Sequence, residues 1–331
     1  MQPRSRNPLR RALLAAFAAT ATLAAAHAAF AQAYPTKPIR LVVVAPAGGT
    51  SDIVARTLAD GLTPLLGQTV IVDNKPGGLG AVGAQEVLSA PHDGYTFLIG
   101  PNGLVSEIPH IAKPRFDPFK DIKPLAELSR SGLVLVANPS VPASNLKELI
   151  AYVKANPGKI SYASYSTGTL SHIMGVEFNK LAGLDMTHVG YKGSPPALQD
   201  VMGGHVALMF DGPPTSVPMI KAGKLKAFAV SSPKRLSALP DVPTFTELGF
   251  PQIDDFAWVG LWTTPDVPAD VLANVRDATL KVLQTPKVID RFREQGQEVG
   301  QPLTPEQMSQ TLRVASDKHG AHLKAIGFKP D

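Results

Sequence analysis

The chain has 331 residues, 44% of them hydrophobic and 18% charged, enough for a sizeable core and two domains. It contains no cysteine, which excludes a disulfide scaffold and leaves the core to hold the fold unaided. Four arginines of the formal +5 charge fall in the first eleven residues, so the rest carries only about +1 and offers no basic surface for nucleic acid.

Those arginines, Arg4, Arg6, Arg10 and Arg11, precede an Ala- and Leu-rich run over 12–26 that ends in Ala29-Phe30-Ala31. A charged start, an apolar middle and a small-x-small end make a Sec signal peptide, cleaved near Ala31, with the mature chain in the periplasm. A membrane anchor is the alternative. The run is rich in Ala and Thr and meets a cleavage site, and no later stretch is long and apolar enough to span.

Beyond the leader, Leu41–Val44 reads as a buried parallel strand that breaks at Pro46 into the loop Ala47-Gly48-Gly49-Thr50-Ser51. Helical spacing resumes through Ile53, Leu58 and Leu62, with Thr50, Ser51 and Asp52 as candidate caps. Thr69–Asp73 is a second strand, followed by a helix through Leu88, and Tyr95–Ile99 is a third that leads to Asn102. Gly78, Gly80 and Gly83 match G-x-G-x-x-G, but the strand that follows ends without the acid a dinucleotide site needs, so they read as packing glycines.

Leu133–Ala137 is a further apolar strand, and a helix follows over 146–150 and stops near Pro157. The rhythm restarts with strand Ile160–Ser164, a Ser/Thr-rich loop and a helix from Leu170 to Leu181. Strands Met186–Val189, Val206–Phe210 and Lys226–Val230 follow, with a helix over Ala197–Met202 and Asp211 closing the second of these strands. Phe256–Trp262 is a returning strand with Trp258 and Trp262 on one face, and 271–284, 286–295 and 304–326 are helical.

Two βαβ series joined by crossings near Val134 and Val259 describe an α/β, two-lobe, type II-like Venus flytrap with two hinges. Residues 32–136 with 255–331 form lobe 1, and 137–254 form lobe 2. Ligand belongs in the cleft at the carboxyl ends of the strands.

Two strand-to-helix turns are the candidate grips. In lobe 1 these are Ala47, Gly48, Gly49, Thr50 and Ser51; in lobe 2, Ser164, Ser166, Thr167, Gly168, Thr169 and Ser171. Asn102 and Asp211, at neighbouring strand ends, complete the set. Free N–H groups and a helix dipole suit an anion, although most such turns only connect. His172 reads as a structural imidazole. His319 and His322, spaced i, i+3, read as a solvated face, having no third ligand for a metal. Lys224, Lys226, Lys234 and Arg235 likewise read as solvated surface. An exported hydrolase using Ser166 or Ser171 with His172 lacks a nucleophile elbow and an orienting acid.

The whole chain beyond the leader resembles the periplasmic solute receptors of tripartite tricarboxylate transporters, the Bug family. The resemblance rests on Tyr34-Pro35, 46–52 with Ala55-Arg56, 72–77, 93–96, Gly168-Thr169 with His172, Tyr191-Lys192-Gly193, Gly203-Gly204, Phe210-Asp211, 222–225 and 240–244 with Glu247 and Gly249. It departs at Ser166, where the family often has glycine, at Gly190, where proline usually stands, and at Ala207, a frequent Asp. The resemblance implies a monomeric receptor, without cofactor, metal or catalysis. It would grip a small mono- or dicarboxylate between the two loops and deliver it to the membrane subunits of a tripartite transporter. A sensor that hands its ligand to a signalling partner is the alternative within the same fold.

Overall fold

In the computed structural model, residues 34–325 and 328 are described; the expected signal peptide and its cleavage site lie outside them. In chain order the elements are β1 (Ile39–Val43), α1 (Thr50–Leu66), β2 (Val70–Asn74), α2 (Ala81–Leu88), β3 (Thr96–Pro101), the short α3 (Gly103–Ser106) and α4 (Ile108–Ile111), β4 (Lys123–Gly132) and β5 (Val134–Ala137). Then come α5 (Leu146–Lys154), β6 (Ile160–Ser164), α6 (Leu170–Ala182), β7 (Met186–Gly190), α7 (Ser194–Gly203), β8 (Leu208–Asp211), α8 (Pro213–Lys221) and β9 (Lys226–Val230). The chain returns through β10 (Phe256–Thr263) and ends in α9 (Ala269–Leu283), α10 (Pro286–Glu294), β11 (Glu298–Val299) and α11 (Pro305–Ala325).

Two sheets organise these elements. A six-stranded sheet runs β11-β4-β10-β3-β1-β2, and a five-stranded sheet runs β7-β6-β8-β5-β9. The apolar run of β1 explains its central place: Leu41 pairs in parallel with Val72 on one side and Phe97 on the other, and Leu41, Val42 and Val43 are fully buried. In the second sheet β6 lies between β7 and β8, parallel to both, while β5 runs antiparallel to β8 and β9. The chain passes between sheets from Gly132 to Val134, and returns between Val230 and Phe256.

Three differences from the sequence reading have identifiable physical causes. The ten-residue β4 pairs with both β10 and β11. Its Lys, Pro, Glu and Arg residues hide it, because Glu127 is buried by pairing with Arg130 (Nε to Oε1, 2.6 Å). Helix α8, which the sequence reading does not include, opens on Pro213 and Pro214, since a first-turn residue has no intrahelical N–H bond to lose. Lys226 is not solvated: its Nζ donates to the Val141 and Ala143 carbonyls at 2.7 and 3.2 Å.

The returning strand does place its two tryptophans on one face. Trp258 and Trp262 stack 5.2 Å apart at 12°, and Trp262 Nε1 donates to the Gly100 carbonyl at 3.0 Å. Gly80 and Gly83 pack as expected: a Cβ on Gly80 would come within 2.8 Å of Leu104 Cδ1, and one on Gly83 within 3.0 Å of Val44 Cγ1. Among the described residues no helix is long and apolar enough to cross a membrane.

Candidate functional site

In the lobe 1 loop the first turn of α1 organises the chain before it. Asp52, 2% exposed, accepts the Gly48 N–H at 2.9 Å, Asn74 Nδ2 at 2.9 Å and Arg56 Nε at 3.0 Å. Burial alone would raise its carboxyl pKa; the bonds from Arg56, Gly48 and Asn74 outweigh that and hold it below the usual range. The Gly49 N–H turns back to the Pro46 carbonyl at 3.0 Å. Two of the loop's expected free donors are therefore used internally. The N–H groups of Thr50 and Ser51, at the head of α1, have no protein acceptor among the described residues. Ala47 and Gly48 are exposed, whereas Gly49 and Ser51 are buried.

The lobe 2 loop is also bonded within itself. Ser164 is fully buried; its Oγ donates to the Ser166 carbonyl at 3.0 Å and meets His188 Nε2 at 2.6 Å. Thr169, the N-cap of α6, spends its hydroxyl on the same Ser166 carbonyl at 2.7 Å. The Gly168 N–H donates to His172 Nδ1 at 3.0 Å, and Ser171 Oγ donates to the Phe210 carbonyl. Thr167 is exposed. His172 lies 3.9 Å from His188, ring centre to ring centre, and burial lowers its pKa.

Between these loops stands Asp211, fully buried. Ser194 Oγ and Thr215 Oγ1 each donate to one of its carboxylate oxygens at 2.6 Å. Burial pushes its carboxyl up to about 6 against those two bonds, the Gly212 N–H and the Tyr165 hydroxyl. Asp211 therefore ties α7 and α8 to the strand end rather than presenting a free carboxylate.

Three glycines near the two loops lie against the opposite lobe. A Cβ on Gly193 (φ +100) would stand 2.8 Å from Pro46 Cγ, and one on Gly49 3.8 Å from Pro195 Cδ. A Cβ on Gly212 would stand 2.6 Å from Thr50 Oγ1 and 3.2 Å from Tyr165 Oη. Thr50 Oγ1 is buried there without a hydrogen-bond partner, an orphan of the kind native structures rarely leave.

Thr50, Ser51, Tyr165, Asp211 and Gly212 are thus brought into one neighbourhood. Tyr165 was passed over in the sequence; burial and the nearby Asp211 charge raise its hydroxyl pKa far above normal. Asn102 is placed differently. Its Oδ1 accepts the Trp258 N–H at 3.1 Å, and among the described residues no hydrogen bond joins it to either loop. The expected solvated face of α11 is also corrected: His319 Nε2 sits 3.3 Å from the Gly168 carbonyl, and His322 Nδ1 3.3 Å from Glu177 Oε1. Among the described residues no cluster could hold a metal ion.

A cavity of about 820 Å³ lies elsewhere, beside the crossings, with Arg130, Lys234, Arg235 and Arg293 in its wall. Three of these cations already have partners, Glu127, Glu247 and Asp290. Basic side chains that are already neutralised make a weaker anion site than helix donors that have no acceptor.

The family described as tripartite tricarboxylate transporter family receptor matches residues 54–328. The chain is 33% identical to protein BugT of Bordetella pertussis over 288 residues, 86% of this chain and 87% of that one. Among solved structures, periplasmic binding protein BugD is 33% identical with a TM-score of 0.84, covering 90% of this chain and 100% of that one. Rpa4515 of R. palustris with adipate is 29% identical with a TM-score of 0.86, over 90% and 100% of the two chains. MatC of Rhodopseudomonas palustris with bound malate is 29% identical with a TM-score of 0.79, over 88% and 100%. The chain belongs to the tripartite tricarboxylate transporter receptor family, the periplasmic solute-binding Bug proteins.

Proposed function

We propose that this receptor captures a small carboxylated solute between its two lobes and delivers it to the membrane subunits of a tripartite transporter. The observation that carries the reading is the head of α1. The N–H groups of Thr50 and Ser51 lack acceptors, and the buried Thr50 hydroxyl beside them is unpartnered at the seam with Gly212 and Tyr165. Donors at the positive end of a 17-residue helix suit a carboxylate. Structural relatives hold adipate and malate, which supports the same ligand class here.

The two lobes, built on the two sheets, close on the ligand about the crossings, as periplasmic binding proteins do. Of the sequence-derived set, Thr50, Ser51 and Gly49 would contact ligand from lobe 1, and Ser166, Thr167 and Thr169 from lobe 2. Asp211, Ser164, Gly168 and Ser171 hold the loops in shape. Chemistry by a serine has less support. Ser171 donates to a backbone carbonyl and His172 Nδ1 accepts a backbone N–H, so neither is poised toward the other.

Calorimetric titration of the exported, processed protein with a panel of small carboxylates, amines and sugars tests the reading. Carboxylates should bind and the neutral sugars should not; binding confined to sugars or amines would overturn it.

A further inference from the structure

The cavity beside the crossings is separate from the head of α1. In the six-stranded sheet the crossing strands β4 and β10 stand between β11 and β1, and the cavity lies on the β11 side. The crossings form one unit there. Ser231 Oγ accepts the Leu133 N–H and donates to the Asp255 carbonyl, both at 2.9 Å, and a Cβ on Gly132 would collide with the Ser232 backbone. Both sheets contribute to the wall: Ser131 ends β4 and Phe256 begins β10, while Lys234 and Leu236 follow β9. The volume, about 820 Å³, is that of a small-molecule site.

Three polar groups of this wall are unspent. Ser131 is 6% exposed and Gln297 4%. Gln297 Nε2 donates to Ser129 Oγ at 2.9 Å, which leaves its Oε1 buried without a donor, a state native structures rarely tolerate. Among the described residues the Ser131 hydroxyl has no protein partner. Lys234 is engaged only through its carbonyl, which accepts Ser232 Oγ at 2.7 Å; its ammonium has no partner among the described residues. Arg130, fixed by Glu127, lies over the Phe256 ring at 5.6 Å, and Glu298 is the one acid among the lining residues. An acceptor, a hydroxyl and a free cation thus surround apolar surface. We propose that this groove is a second ligand site, for a small anion with an apolar body and a hydroxyl group, and that filling it favours the closed cleft. A rotation about the crossings that narrows the β1 side widens the β11 side, so a molecule wedged in the groove resists reopening.

4-Hydroxybenzenesulfonate is the probe, since it carries the charge, the ring and the hydroxyl but no carboxylate. Calorimetric titration should show one site, with benzenesulfonate about threefold weaker for want of the hydroxyl and phenol at least about tenfold weaker for want of the charge. Lys234→Glu, a change at an exposed position, should weaken the probe about tenfold or more. Probe affinity unchanged in Lys234→Glu, or no binding of the probe to the wild-type protein, would overturn the site. The second arm repeats the titration with the cleft saturated by the tightest-binding carboxylate of the panel. Linkage is reciprocal, so the probe should then bind about threefold or more tightly. Displacement of the probe by the acid would place it in the cleft and overturn the second site; unaltered affinity would overturn the coupling. If no carboxylate binds, the cleft reading fails on its own, and Lys234→Glu still decides the groove.

Discussion

Asp52 accepts the N–H of Gly48 at 2.9 Å from within the first turn of the helix that the loop enters. The loop is thereby shaped by a residue that follows it, and Asn74, bonded to both Asp52 and the Ala45 carbonyl, fixes it to β2. Asp52→Ala should leave the Gly48 N–H and one of the two Asn74 bonds without an acceptor and cost about 1–3 kcal/mol. Urea unfolding would measure the loss, and ligand affinity should fall with it because Thr50 and Ser51 lose their setting. Stability within error of wild type would show that the loop does not depend on this carboxylate.

Thr50 gives a cleaner separation of binding from folding. Its Oγ1 is buried and makes no hydrogen bond, so Thr50→Val removes no protein contact and should change stability by no more than about 0.5 kcal/mol. If the hydroxyl serves the ligand, affinity should drop about tenfold. Equal affinity in Thr50→Val, by calorimetry, would mean that the hydroxyl faces nothing in the complex.

Much of this was legible in the sequence because it was local. The β-branched run of β1, the glycines of its loop and the apolar spacing of α1 act over a few residues, and the two-sheet α/β plan follows from repeating that pattern. What was hidden depends on distant partners. β4 looks polar until it is paired with β10 and β11, and Lys226 looks solvated until the Val141 and Ala143 carbonyls are found around its ammonium. Within the site, the hydroxyls of the lobe 2 loop were visible as donors, but Ser164, Thr169 and Ser171 turn theirs to backbone carbonyls. Glu107, whose Oε2 accepts the Leu170 N–H at 3.1 Å, carried no local signal, since that partner lies in the other lobe.

Stability should depend on pH through buried imidazoles and carboxyls that act in opposite directions. Burial, helped by the charge of His172, holds His188 down to about 4, against about 6.5 in an unfolded chain. The unfolded chain then binds the proton more tightly, so this contribution is full above about pH 6.5 and is lost as pH falls toward 4. His319, also held near 4 by burial, behaves alike. Burial instead raises Glu107 and Glu177 to about 7 and Asp211 to about 6; their contribution is full below the unfolded values near 4 and is lost as pH rises through 6 to 7. Thermal unfolding of wild type and His188→Gln between about pH 7.5 and 5 isolates the imidazole. The variant should lose less stability on acidification, and parallel curves would contradict the assignment.

The most direct test of the account is a crystal structure of the protein with the tightest-binding acid of the panel. A carboxylate seated on the Thr50 and Ser51 N–H groups, with the Thr50 hydroxyl engaged and Tyr165 alongside, is the predicted result. A carboxylate found instead in the groove walled by Arg130, Lys234 and Arg293, with the head of α1 untouched, would contradict it.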